Sequence, residues 1–350
     1  NESGGLVAGL TGRPEADPVM VDLQVRGPFS AVTGRLSADA GRLAELAADL
    51  ELAIVDQPSI ALDGALTVAE GALPEDIAAL VGARLDVRVR GGQRGADRFA
   101  LEELDVTAAQ FRLSGQGSAA LVTRGVEGTF GLEVADLASA SGLAGGPLAG
   151  TLRIDGTASG SLDRPELALG IVGEQLAADA FAARRLTTDL TATLLGPLDQ
   201  GYRGVTVNAA GGAEAVTLDG APLPAAADPT WRVAAELPAT GPITVETLEV
   251  KAEALTATLQ GTVDPATLTG QGRLAVDAPD LAAIIASLGP LAPEGLDLAG
   301  AVELTADATM RPTGDVMDVE LRLTSTALSG LPDGVQQLVG ADSRLTGRAT

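Results

Sequence analysis

The chain of 350 residues contains no cysteine and no histidine, and it has only five phenylalanines, one tryptophan, one tyrosine and a single lysine. Each scarcity excludes something. Without cysteine there are no disulfide staples and no thiolate metal sites, and the sequence suits any compartment, an oxidising one included. Without histidine as well, zinc, copper and haem lack their usual donors, and no serine has the imidazole base that a nucleophilic triad needs. The lone lysine, Lys251, lies in no Ser-x-x-Lys arrangement, and no Walker motif occurs. With so few aromatic platforms for sugars, paired acids such as Glu102-Glu103 read as solvated side chains rather than as a glycosidase pair. No enzymatic chemistry, metal or cofactor is expected.

Basic charge is also short. The 23 Lys and Arg residues face 47 Asp and Glu, a formal net charge of −24, the reverse of what counterion release at a phosphate backbone requires, so a nucleic-acid partner is not expected. No apolar run reaches signal or membrane-span length, and the sequence begins at Asn1. An interior piece of a longer protein is therefore expected, with any membrane anchor elsewhere.

What the sequence does have is alternation. Leu85, Val87 and Val89 fall on one parity and Asp86, Arg88 and Arg90 on the other, which in an extended strand places them on opposite faces. The pattern recurs as Leu152 and Ile154 against Arg153 and Asp155. It recurs again as Leu248, Val250 and Ala252 against Glu249, Lys251 and Glu253, and as Val319, Leu321 and Leu323 against Asp318, Glu320 and Arg322. Arginines on the polar parity each have an acid nearby and read as solvated cross-strand pairs.

Gly27-Pro28, Asp63-Gly64, Gly91-Gly92, Gly196-Pro197, Asp219-Gly220, Gly241-Pro242 and Asp264-Pro265 read as turns. The same applies to the glycines of Gly115-Gln116-Gly117 and Gly270-Gln271-Gly272, which open no helix as a dinucleotide loop would. Gly91 to Asp97 reads as a flexible hairpin loop. The short spacing predicts a mostly antiparallel meander. Short amphipathic helices are predicted over 73–82 and 279–290, with a third beginning at Leu331.

The chain also resembles itself. LPEDIAALVGA at 73–83 matches LPDGVQQLVGA at 331–341, and EELDVTAAQFRLSGQG at 102–117 resembles ETLEVKAEALTATLQG at 246–261. Residues 128–136 resemble 270–280, and Leu148-Ala149-Gly150 corresponds to Leu298-Ala299-Gly300. Approximate repeats over 73–165 and 246–341, with no clean boundary, suit one continuous segment, 1–350, in which each unit leans on its neighbours.

The apolar parity is Leu, Val, Ala and Ile, with few aromatics to fill a sandwich core to interior density. Either facing sheets close through alanine into the thin dry core of a structural or adhesive repeat, or the sheet curls around its apolar face and leaves a groove for acyl chains. A third possibility is that an exposed edge pairs with client strands. The candidate lining residues are Leu85, Val87, Val89, Leu152, Ile154, Leu248, Val250, Val302, Leu304, Val319, Leu321 and Leu323.

The texture of 156–169, with Asp163-Arg164-Pro165-Glu166-Leu167-Ala168-Leu169 after a strand pattern, resembles the interior repeats of the TamB family and the wider AsmA-like proteins. Arg13-Pro14 and Arg311-Pro312 repeat the feature before later strand patterns. The resemblance implies an elongated, mainly β, mostly antiparallel groove (a β-taco) in the Gram-negative periplasm, within a protein anchored to the inner membrane. It also implies a role in a translocation and assembly module, with an outer-membrane barrel of the TamA type as partner and phospholipid acyl chains or outer-membrane protein segments as cargo.

Overall fold

The structure is a computed structural model that describes residues 19–55, 57–197, 201, 203–218, 220–222, 228–252, 254–288, 298–310, 317–331 and 340–349. It is mainly β, with few short helices, and its contacts divide the chain into two units, 1–162 and 163–350.

Unit 1 is an antiparallel meander of β1 (Met20–Arg26), β2 (Val32–Asp39), β3 (Ala44–Ala53), β4 (Ser59–Val68), β5 (Arg84–Gln93), β6 (Arg98–Thr107), β7 (Phe111–Ala120), β8 (Val126–Val134) and β9 (Leu148–Ser161). Each strand pairs with the next in sequence. Unit 2 continues the plan with β10 (Arg164–Ala178), β11 (Phe181–Leu194), β12 (Gly204–Glu214), β13 (Thr217–Leu218), β14 (Ala221–Pro222), β15 (Thr230–Pro238), β16 (Ile243–Ala252), β17 (Leu255–Asp264), β18 (Thr269–Ala278), β19 (Ala299–Met310), β20 (Met317–Ser329) and β21 (Ser343–Ala349). Among the described residues β1 does not pair with β9, nor β10 with β21, so neither meander closes into a barrel.

The alternation becomes rows. Residues directly opposite in an antiparallel sheet share a face, and in unit 1 the register aligns Leu23, Leu36, Ala48, Gly64, Val87, Val106, Leu113, Leu132 and Ile154 across nine strands. In unit 2 the row Leu169, Leu190, Ala209, Val233, Leu248, Leu259, Leu274, Ala306 and Leu321 crosses from β10 to β20. The opposite face of unit 2 carries Thr193, Thr206, Glu236, Thr244, Thr262, Gln271 and Thr309 in one row. β-branched threonine suits a wet pleated face without adding charge to an acidic chain.

Two of the expected turns are strand interior. Asp63-Gly64 lies in the middle of β4, with Asp63 opposite Asp49 and Arg88. Gly64 is there for close approach, since a Cβ on it would come 2.7 Å from the Ala48 Cβ. Gly91-Gly92 closes β5, and its turn falls at 94–97. The glycines of Gly115-Gln116-Gly117 and Gly270-Gln271-Gly272 likewise sit in β7 and β18, where Gly117 faces Gly128 and Gly272 faces Gly261.

The helix predicted over 73–82 forms as Glu75–Val81, with acids in its first turn and Gly82 at φ 72° ending it. That over 279–290 forms as Leu281–Leu288, begun by Asp280, whose carboxylate accepts from the Ala283 N–H at 3.0 Å. The predicted start at Leu331 runs into residues outside those described. A 3₁₀ turn Leu137–Ala140 continuing into a helical turn Ser141–Ala144 was not predicted, although Asp136 caps it in the same way, through Ala138 N–H at 2.9 Å.

The segments 102–117 and 246–261 share an irregularity. Between Leu101 and Leu104 two residues of β6, Glu102 and Glu103, pass while β7 advances by one; between Val245 and Leu248 the same happens with Glu246 and Thr247. Each bulge puts two polar residues on the wet side and sharpens the twist.

Candidate apolar groove

Polar side chains on the wet face pair across strands. Arg88 donates to Asp63 at 3.0 Å, Arg153 to Glu133 at 3.0 Å and Arg273 to Asp307 at 2.6 Å. Arg84 bonds Asp86 and holds its carboxyl below the ordinary aspartate range; Arg112 does the same to Asp105, and Arg273 to Asp307. These groups are solvated, so they keep the face wet and in register and add little stability. No group of potential metal ligands occurs among the described residues.

The other face has no such partners. Among the described residues the buried hydrophobic side chains are mostly alanine, and none of the large ones is fully buried. In unit 1 Leu43, Ala72 and Val134 are buried near the ends of strands where the connections β2–β3, β4–β5 and β8–β9 lie, and the helices fall on that end too. Ala109 and Gln110 donate to the carbonyls of Val81 and Leu80, which seats the helix Glu75–Val81 on the β6–β7 turn. In unit 2 a small cluster of Ala183, Ala213 and Val216 packs against Trp231.

At the opposite end of unit 1, where plain hairpins join the strands, the apolar face is hollow. A concavity of about 580 Å³ is lined by Leu52 and Ala53 of β3, Ile60 of β4, Val89 and Gly91 of β5, Phe99 and Leu101 of β6, and Gly117 and Ala119 of β7. Five neighbouring strands therefore contribute to one depression, ~19 Å across at ordinary strand spacing. Its relief comes from size: Leu52, Ile60 and Leu101 share a row with Gly91, Gly117 and Gly128, so aliphatic walls stand beside bare backbone.

The expected lining residues divide between the units. Leu85, Val87, Val89, Leu152 and Ile154 share the apolar face of unit 1, but only Val89 reaches the hollow. Leu248, Val250, Val302, Leu304, Val319, Leu321 and Leu323 share that of unit 2, where Val250, Val276, Leu304 and Leu323 form one row. Val250 and Leu321 are exposed and most of the others half-buried. Sequence reasoning missed Leu52, Ile60, Phe99 and Leu101. The available signal was Phe99 and Leu101 on one parity of β6, interrupted by the acids of the bulge.

No helix among the described residues is long and apolar enough to cross a membrane. No known protein family, curated protein or solved structure matches the chain.

Proposed function

We propose that this chain is a non-enzymatic span of a bridge between two membranes, whose apolar face shields phospholipid acyl chains or segments of outer-membrane proteins in transit. The observation that carries the reading is the hollow of unit 1, a mostly apolar depression with no charged side chain among its lining residues. Each methylene moved from water onto such a surface gains about 0.8 kcal/mol, so a chain laid across five strands gains several kcal/mol without a polar contact. The exposure of the large aliphatic residues disfavours a closed dry core, which would bury them. The periplasm, the inner-membrane anchor and a TamA-type barrel as partner follow from the resemblance alone.

The test is native mass spectrometry of the purified chain, with extraction of whatever leaves on denaturation. Phospholipid is expected on the wild type and lost from Leu101→Asp, because a charge in an apolar site costs on the order of several kcal/mol. A lipid-free wild type that unfolds cooperatively overturns the groove.

The second reading, edge pairing with client strands, has its own observation. β1 is exposed along its whole length and, among the described residues, pairs only with β2. Proline at Leu23 is expected to abolish pairing with an added strand and to leave lipid loading unchanged.

A further inference from the structure

The two ends of the unit 1 meander differ in more than burial. The helix-bearing end carries Asp39, Glu70, Glu75, Asp76 and Asp136 at or beside its connections against Arg42 and Arg84. The hairpin end reverses this, with Arg26, Arg94, Arg98 and Arg124 against Asp97 and, in the sequence, Asp56. Glu102 and Glu127 reach Arg94 and Arg98 from within β6 and β8, so the tips are close to neutral, against an acidic opposite end and a chain of net charge −24.

The same hairpin tips expose large apolar side chains. Phe29 is 72% exposed and Val122 77%, and Ile54, Val55 and Leu121 stand out beside them. These tips form a continuous rim, because each turn is bonded to the next: Ile54 N–H to Phe29 C=O at 2.8 Å, Gln93 N–H to Pro58 C=O at 2.7 Å, and Leu121 N–H to Asp97 C=O at 2.7 Å. Across the four hairpins from β1 to β8 the rim spans ~34 Å. Immediately inside it lies the hollow lined by Leu52, Ile60, Phe99 and Leu101.

We infer that this rim docks edge-on to an anionic lipid surface. Apolar tips interleaved with arginine are what an interfacial element needs: the aliphatic and aromatic groups enter the headgroup boundary while the cations meet lipid phosphates. The ion pairs Arg94–Glu102 and Arg98–Glu127 are solvent-exposed and weak enough to yield to such a phosphate. The opposite end, acidic at its connections, is repelled by the same surface and so sets the orientation. The inference rests on the groove reading for its purpose, since a docked rim would open the hollow toward the leaflet and let a lipid tail pass in without crossing water.

The experiment is flotation of the whole chain with vesicles of phosphatidylcholine alone and of an equal mixture with phosphatidylglycerol, followed by extraction of bound lipid. Binding to the mixed vesicles is expected. It should weaken about five-fold for each of Arg26→Gln and Arg94→Gln, and about ten-fold or more for Phe29→Ser combined with Val122→Ser. Thermal unfolding should not change in any of these variants, because the tips are exposed. Leu101→Asp is expected to lose extracted lipid and still float, so failure of the groove and failure of docking are read separately. Docking is overturned if the wild type stays unbound to mixed vesicles or if the tip changes leave flotation intact. It is also overturned if they turn a self-associated form into monomer without affecting flotation, which makes the rim a contact between copies.

Discussion

Unit 1 and unit 2 are built from the same alternation and the same meander, yet their apolar faces have different relief. Across the hairpin end of unit 1 the row runs Leu52, Ile60, Gly91, Leu101, Gly117 and Gly128, large aliphatic side chains beside bare backbone. The comparable row in unit 2 runs Leu167, Ala192, Val207, Ala235, Val245, Gly261, Gly272, Ala308 and Val319, with its one leucine on the first strand and alanine, glycine and valine across the rest. What differs is the step in side-chain size from strand to strand, and that step creates a wall and a floor.

The aromatics show the same contrast. Phe130 stands between Gly115 and Gly156 within the sheet of unit 1, and its ring lies over Gly156, where any Cβ would strike it. Trp231 covers Gly211 in unit 2 and also gathers the Ala183, Ala213 and Val216 cluster. A large ring over a neighbouring glycine shields backbone that nothing else covers.

The strongest way to break this comparison is to remove the tryptophan. Trp231→Ala is expected to cost about 3 kcal/mol in chemical denaturation, as for a large aromatic taken from a packed site. A loss below about 1 kcal/mol would mean that the cluster does not hold unit 2 together. Next, filling the relief of unit 1 with Ala119→Trp should displace most bound lipid while altering stability by no more than ~1 kcal/mol. If lipid stays, the hollow is not where it sits.

A matched set of glycines sharpens the contrast further. A Cβ on Gly261 would meet the Gln271 carbonyl at 2.5 Å, whereas on Gly272 the nearest contact is 3.4 Å. Gly261→Ala should therefore cost about 1–3 kcal/mol, and Gly272→Ala should be neutral or slightly stabilising. In unit 1 the facing pair Gly117 and Gly128 meets backbone oxygen at 2.7 and 2.9 Å, so alanine at either should destabilise. Equal effects at all four positions would remove the steric argument.

The smallest effect is that of pH. Asp86, Asp105 and Asp155 in unit 1 and Asp307 in unit 2 are held below the ordinary aspartate value by arginines, and Asp264 chiefly by the Ala266 N–H. A carboxyl with a lowered folded-state pKa contributes fully above its unfolded value, ~3.9, and loses that contribution as pH falls below it. Melting temperature should be flat from about pH 8 to about pH 5 and decline below about pH 4. Because three of these four arginine-held aspartates are in unit 1, its unfolding should be the more acid-sensitive.

The strand faces, the antiparallel order and two helices were legible because they depend on local periodicity. Leu85 to Arg90 announces its two faces within six residues. The strand glycines were not legible. Asp63-Gly64 is a turn signal by composition, and only the approach of Ala48 from another strand explains why glycine stands mid-strand there. The hollow was hidden for a related reason: its walls come from β3, β4, β5 and β6, and the bulge at Glu102-Glu103 shifts the parity that would have linked Phe99 and Leu101 to Leu104 and Val106. Register between strands is not written in any one of them.

Pairing only successive strands has an evolutionary consequence. In unit 1 no strand depends on a distant partner for its ladder, so the span can lengthen or shorten without redesign of the remainder. The change must come in pairs of strands, because an odd strand would send the chain out at the wrong end and exchange the helix-bearing side for the hairpin side. Length is thus quantised in steps of ~10 Å, the width of one hairpin, and a lineage can change it by copying or dropping hairpins.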